Sequence, residues 1–145
     1  MTLRSNRLMI AASGFTLLEL MVVLLILALL ATIAAPRVTK SLTKAKTQSA
    51  EIQVAALGAA VDAFHLDVGR FPSQEEGLKA LVEKPSTAAG WDGPYLKKRQ
   101  SLVDPWQRPY RYRQPGRFGE YDIFSLGADD SEGGEGDSRD VGVEY

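Results

Sequence analysis

From Phe15 to Ala35 the chain reads FTLLELMVVLLILALLATIAA, a run of 21 in which Glu19 is the sole ionisable group and Thr16 and Thr32 the only other polar side chains. A segment apolar on every side predicts a helix that water does not bathe. At about 1.5 Å per residue it would reach roughly 31 Å, the thickness of a bilayer's hydrocarbon core at about 30 Å. Beyond Pro36 the pattern changes to a stripe: Val38, Leu42, Ala45, Ser49, Ile52, Ala56, Ala59 and Ala63 recur at four-three spacing, one continuous helix face. Its small residues suit close approach of neighbouring helices. A second stripe, Val54, Leu57, Val61 and Phe64, exists only in the later half and suits a helix that also carries a small domain. Pro36 lies inside this predicted helix, where it removes a hydrogen bond and crowds the preceding turn, so a kink or a locally melted turn is expected. The helix should stop near Asp67-Val68-Gly69, with Gly69 as a left-handed cap.

After Phe71-Pro72, Ser73-Gln74-Glu75-Glu76 has the form of a capping box and predicts a short helix through about Glu83, burying Leu78, Leu81 and Val82, with Pro85 as its stop. Trp91-Asp92-Gly93-Pro94-Tyr95-Leu96 and Asp104-Pro105-Trp106 read as turns pinned by aromatic anchors. Tyr110-Arg111-Tyr112-Arg113 and Tyr121-Asp122-Ile123-Phe124 alternate at period two, with Gln114-Pro115-Gly116 between them as a turn. The expected fold class is therefore α+β: a long helix packed on a small antiparallel sheet.

Composition changes the picture mainly by exclusion. With no cysteine there is no disulfide framework, thiolate metal site or cysteine nucleophile, and with one histidine, His65, there is no second imidazole to share a metal. His65, in the last helical turn, reads as a favourable C-terminal charge or a surface residue. No nucleophile-base pair and no clear acid-base pair stands out, so an enzyme is not expected. A formal net charge of -1 argues against a nucleic-acid partner. The alternating Tyr and Arg of 110–113 could stack on bases, but strand alternation explains them more simply and the acidic tail would repel phosphates.

The small net charge hides an uneven distribution. Arg4 and Arg7 lie before the apolar run, and Arg37, Lys40, Lys44 and Lys46 form a basic collar after it, so charge counting leaves the orientation in a membrane open. From Gly127 to Tyr145 there are seven acids and one base, Arg139. Such a tail can be a disordered acidic terminus. It can also be a metal loop, since a domain of roughly 80 residues without disulfides usually needs a staple, and clustered carboxylates with flexible carbonyls are what calcium requires. The spacing does not fit an EF-hand, so the site would be an irregular loop.

A carboxylate placed in the middle of a membrane helix costs about 2.5 to 3.5 kcal/mol, and something should compensate Glu19. An ordinary secretory signal with cleavage near Ala34 or Ala35 is one alternative, though the apolar run exceeds the usual signal core. A glutamate that snorkels to the interface is another. A cut just before Phe15 is the third: the new ammonium would lie one turn from Glu19, or would meet the Glu19 of a neighbouring copy and set the register of an assembly.

Gly14-Phe15-Thr16-Leu17-Leu18-Glu19, after a basic leader and opening an apolar helix, resembles the class III signal of type IV pilins and type II secretion pseudopilins. That resemblance implies a prepilin peptidase cutting between Gly14 and Phe15 and methylating the Phe15 amine, Glu19 pairing with a neighbour's N-terminus, and the leader lying in the cytoplasm with the rest in the periplasm. Proline at the distance of Pro36 from Phe15 is also typical of these pilins. Leu66 to Pro72, Glu76-Gly77-Leu78, Trp91 to Leu96, Asp104-Pro105-Trp106 and Tyr121 to Asp129 are similar to the G-type major pseudopilins, with likeness running along nearly the whole chain from Gly14.

From this similarity follow a type IV pilin-like fold, a leader over 1–14, a transmembrane and assembly helix over 15–35, a periplasmic half-helix over 36–68, and a globular domain over 69–145 with a calcium loop at about 126–142. The implied role is a structural subunit of the inner membrane and periplasm that forms a homopolymer and works with minor pseudopilins and an inner-membrane assembly platform. A type IV pilin, a minor pseudopilin or a membrane-anchored periplasmic binding module stand as alternatives. The family's calcium loop uses two aspartates and backbone carbonyls; by motif these are Asp129 with the carbonyls of Leu126 and Ala128, then Asp137, with a carbonyl at Arg139 or Val141 closing the shell. Asp130 stands where a glycine often occurs.

Overall fold

The computed structural model describes residues 14–117 and 119–142, of which 33–38 by their backbone alone. The chain divides between Thr39 and Lys40 into two compact units. One helix, α1 (Leu17–Val68, 52 residues), contributes to both.

In the first unit Thr16 caps the helix: its Oγ1 accepts the Glu19 N–H at 3.2 Å. Thr16 and Glu19 stand in the T-x-x-E spacing of a capping box, so Glu19 belongs to the first helical turn, where the helix dipole favours an anion. Every described side chain from 14 to 32 is exposed, Leu17 at 78% and Leu25 at 71% among them. Among the described residues no helix is long and apolar enough to cross a membrane; their share of the apolar run ends at Thr32, whereas the sequence run extends to Ala35. The helix continues through Pro36 without a break in its assignment, so a melted turn there is not what forms. The leader over 1–13, with Arg4 and Arg7, and the Arg37 side chain lie outside the described residues.

In the second unit the two stripes separate as their spacing implies. Leu57, Val61 and Phe64 are 1%, 0% and 0% exposed, with Val54 half-buried beside them, whereas Leu42 and Ile52 of the first stripe are 58% and 65% exposed. α1 ends at Gly69, which adopts φ +79° and donates its N–H to the His65 carbonyl at 2.8 Å.

The capping box at 73–76 forms with both bonds: Glu76 N–H to Ser73 Oγ at 3.2 Å and Ser73 N–H to Glu76 carboxylate at 2.8 Å. The helix expected to follow through Glu83 does not. Gly77 takes φ +53°, outside helical geometry, and only a 3-10 turn over Gly77–Leu81 succeeds it, burying Leu78, Ala80 and Leu81. Glu76 is meanwhile gripped by Arg70 in a bidentate pair at 2.7 and 2.8 Å and by the Thr87 hydroxyl.

Strands β1 (Arg111–Arg113) and β2 (Asp122–Phe124) pair antiparallel, with Tyr112 opposite Ile123. Tyr110 and Tyr112 turn inward and Arg111 outward, which is the period-two pattern of the sequence. Each buried ring keeps a partner for its hydroxyl: Tyr110 donates to Gln53 Oε1 at 3.1 Å and Tyr112 to the Pro72 carbonyl at 2.9 Å. Burial pushes both phenols up from their ordinary range, holding them neutral. Trp91 anchors its turn by donating Nε1–H to the Ala80 carbonyl at 2.8 Å. His65 departs from its expected surface role: it is half-buried and stacks on Phe71 with ring centroids 4.2 Å apart. The chain turns back at Gly69, and that reversal lays Phe71 against the last helical turn.

Candidate functional site

The acidic loop begins where β2 ends, and its first residues are tied to one turn. Asp104, 3% exposed, accepts the Ser125 hydroxyl on Oδ2 at 2.5 Å and the Trp106 and Arg108 N–H groups on Oδ1, both at 2.9 Å. A buried carboxylate thus organises the Asp104–Arg108 turn as an Asx-type cap. From it two side chains reach the loop. Trp106 Nε1–H donates to Asp137 Oδ1 at 2.9 Å, and the Arg108 guanidinium donates Nη1–H to the Gly127 carbonyl at 2.6 Å and Nη2–H to the Ala128 carbonyl at 2.7 Å.

The loop closes on itself at the same place. Ala128 N–H donates to the Asp137 carbonyl at 2.9 Å, and Gly127, at φ +66°, sits so close to the return strand that a Cβ there would come within 2.9 Å of the Asp137 and Arg139 carbonyl oxygens. The return strand is fixed by an antiparallel bridge in which Ser125 and Val141 exchange both N–H···O bonds at 2.9 Å. Outer ion pairs fasten the rim: Arg111 to Asp130 at 2.8 Å, Arg117 to Glu132 at 3.6 Å, and Arg139 to Glu51 of α1 at 2.6 Å. The disordered-tail alternative therefore does not describe residues 127–142.

Of the residues assigned to calcium by motif, the fold brings Ala128, Asp137 and Arg139 together around Gly127. Asp129 is exposed and its Oδ1 accepts the Ser131 N–H at 3.2 Å; Asp137 is half-buried, with Oδ1 turned to Trp106. Leu126 is buried, and the Val141 carbonyl serves the bridge to Ser125. Among the described residues no three His, Asp or Glu side chains form a group that could hold a metal. Asp140, absent from the motif assignment, is the most buried acid of the loop at 8% exposure and accepts the Gly133 N–H at 2.9 Å. Its signal in the sequence is its place between Arg139 and the apolar Val141, one residue from the bridge. Arg108 has no such local signal, because its partners are 19 and 20 residues away.

Comparison with known proteins bears on both ends of the chain. A family model described as type II secretion system (T2SS), protein G matches residues 37–144. The chain belongs to the type II secretion system protein G family. Immediately before that match, residues 9–35 fit the prokaryotic N-terminal methylation motif. Among similar members, the type II secretion system core protein G of Pseudomonas aeruginosa is 45% identical over 135 residues, covering 90% of this chain and 93% of its own. The Aeromonas hydrophila protein of the same name is 44% identical over 129 residues, covering 86% and 89%. The crystal structure of the major pseudopilin from the type 2 secretion system of enterohaemorrhagic Escherichia coli superposes with a TM-score of 0.57 at 35% identity, over 68% of this chain and 86% of that one. The α+β pilin-like fold read from the sequence and the role as a major pseudopilin agree with these members of the protein G family.

Proposed function

We propose that the chain is cut after Gly14 by a prepilin peptidase, methylated on the Phe15 amine, held in the inner membrane by the apolar helix over 15–35, and polymerised into a periplasmic pseudopilus that drives export of folded proteins. Its role is structural and non-enzymatic. The observation that carries this is the adjacency of the methylation motif over 9–35 and the protein G match over 37–144, which leaves the apolar run directly between processing site and domain. Exposure of every described side chain along 14–32 supports a segment whose cover comes from lipid or from other copies. Minor pseudopilins and an inner-membrane platform are the remaining partners of the proposal. Mass spectrometry of the chain purified from membranes should find an N-terminus at a singly methylated Phe15; a chain beginning at Pro36 would instead mark an ordinary secreted domain.

The loop over about 126–142 is proposed as a calcium site. Its donors are of the right kind: oxygens only, with the Asp129 and Asp137 carboxylates and the carbonyls of Leu126, Ala128, Arg139 and Val141. Bound calcium would supply positive charge where the loop concentrates acids. The chain's own residues do the shaping: the Asp104–Arg108 turn orients the loop's entry, and glycines at positive φ let its two arms approach.

A further inference from the structure

We propose that the outer edge of β1 is a latent surface for strand addition by a second copy of this chain, and that the Gln74 side chain holds it shut. β1 lies against β2 with Arg111 opposite Phe124 and Arg113 opposite Asp122. On its other side the Tyr110 N–H donates to the Leu102 carbonyl at 2.9 Å. Backbone groups alternate in direction along a strand, so those of Tyr112 and Gln114 also point to that side, away from β2. Pro109 and Pro115 bracket this edge, and neither has an N–H with which to extend a ladder. What Leu102 leaves uncovered is taken by one primary amide. Gln74 Nε2–H donates to the Tyr112 carbonyl at 3.0 Å, and Gln74 Oε1 accepts the Gln114 N–H at 2.9 Å. A carbonyl and the N–H two residues on are the pair that one residue of a parallel neighbouring strand would satisfy, so the amide fills the place of a strand residue beside Arg113.

The amide is aimed by its surroundings. The two capping-box bonds between Ser73 and Glu76 flank it, and the Tyr112 hydroxyl donates to the Pro72 carbonyl, which pins the 72–76 segment to the strand it covers. Gln74 is nevertheless exposed, and a groove of about 390 Å³ lined in part by Leu78, Leu102, Val103, Tyr110 and Tyr112 runs beside it. Access to the edge is therefore blocked by this side chain and not by depth. An uncovered edge is a template for pairing with another chain. Copies of a major pseudopilin are gathered in one assembly, so the strand at hand is the β1 of another copy. Arg111 and Arg113 do not bar it by charge, because each is paired with an acid, Asp130 at 2.8 Å and Asp122 at 3.5 Å. Closure of this edge depends on neither the processing step nor calcium.

The chain has no cysteine, so a single Arg113→Cys reports edge pairing through a short bis-maleimide. In full-length chains in detergent, with calcium chloride present throughout, adding Gln74→Ala to Arg113→Cys should raise cross-linked dimer about tenfold, as one hydrogen-bonded pair is released. Adding Val61→Ala instead, a core change away from the edge, should leave the yield at that of Arg113→Cys alone. In dilute Gln74→Ala chain, amide exchange over 111–116 should rise about tenfold while peptides over Leu57–Phe64 match the wild type. Equal dimer yield with and without Gln74→Ala overturns the proposal, and so does unchanged exchange over 111–116. A rise with Val61→Ala as large as with Gln74→Ala, or faster exchange over Leu57–Phe64 in Gln74→Ala, also overturns it by tracing the pairing to general loss of stability.

Discussion

At the scale of single residues, two glutamates show how position decides the use of a charge. Glu19 sits in the first turn of α1, three residues after the Thr16 cap. The helix terminus accepts an anion there more readily than the helix middle would, which lowers the cost of keeping it in an apolar run. Glu19→Ala should leave cleavage at Phe15 intact and abolish incorporation into the fibre, read by cross-linking of membranes; normal cross-linked ladders would remove its register role. Glu76 is the second. The Arg70 guanidinium bonded to it, with help from Thr87 and the Ser73 N–H, holds its carboxyl at about 2, below the usual 4.5. Because the folded value is depressed, the stabilisation is present above about pH 5 and fades as pH falls toward 2. Arg70 is 38% exposed, so solvent screening trims the pair to about 2 kcal/mol. Glu76→Gln should lower stability at pH 7 by that amount and flatten the acid limb of a pH-melting profile; an unchanged acid limb would place the acid sensitivity elsewhere.

At the scale of elements, α1 was legible because its two stripes have different lengths. Leu57, Val61 and Phe64 recur only where a domain exists to cover them, and they are buried, while Leu42 and Ile52 on the longer stripe are not. Phe64→Ala should cost about 3 to 5 kcal/mol, seen as a lower urea midpoint of the intact chain in detergent. The 3-10 turn at 77–81 was not legible, because a capping box specifies where a helix starts and says nothing of a glycine at φ +53° one residue later. The acidic loop depends on a glycine for another reason. At Gly127 a side chain would meet the backbone of Asp137, Ser138 and Arg139 in a conformation that already disfavours one. Gly127→Ala should destabilise by about 1 to 3 kcal/mol and open the loop to proteolysis between 128 and 137; wild-type protease resistance would count against the crossing of the two arms.

At the scale of the whole molecule, the net charge of -1 is a sum over segments with different tasks. The proposed cleavage after Gly14 would remove Arg4 and Arg7 and leave side chains summing to -3, with six of the 18 acids in the loop over 126–142. If calcium binds the folded loop and not the unfolded chain, saturating calcium should raise the melting temperature by several degrees over EDTA, since a hundredfold excess over the dissociation constant is worth about 2.7 kcal/mol. No shift would remove the metal. The family, the N-terminal methylation motif, the helix with its two stripes and the inward tyrosines were all readable from the sequence by itself, because each rests on local spacing or on a short motif. The exposure of the first stripe, the partial burial of His65, the inward carboxylates of Asp104 and Asp140 and the bonds of Arg108 to two loop carbonyls were decided only by tertiary structure. Arg108 with Gly127 and Ala128, and Asp104 with Ser125, join groups 19 to 21 residues apart, and no local period encodes which carbonyl a guanidinium will find once the turn and the loop have folded beside each other.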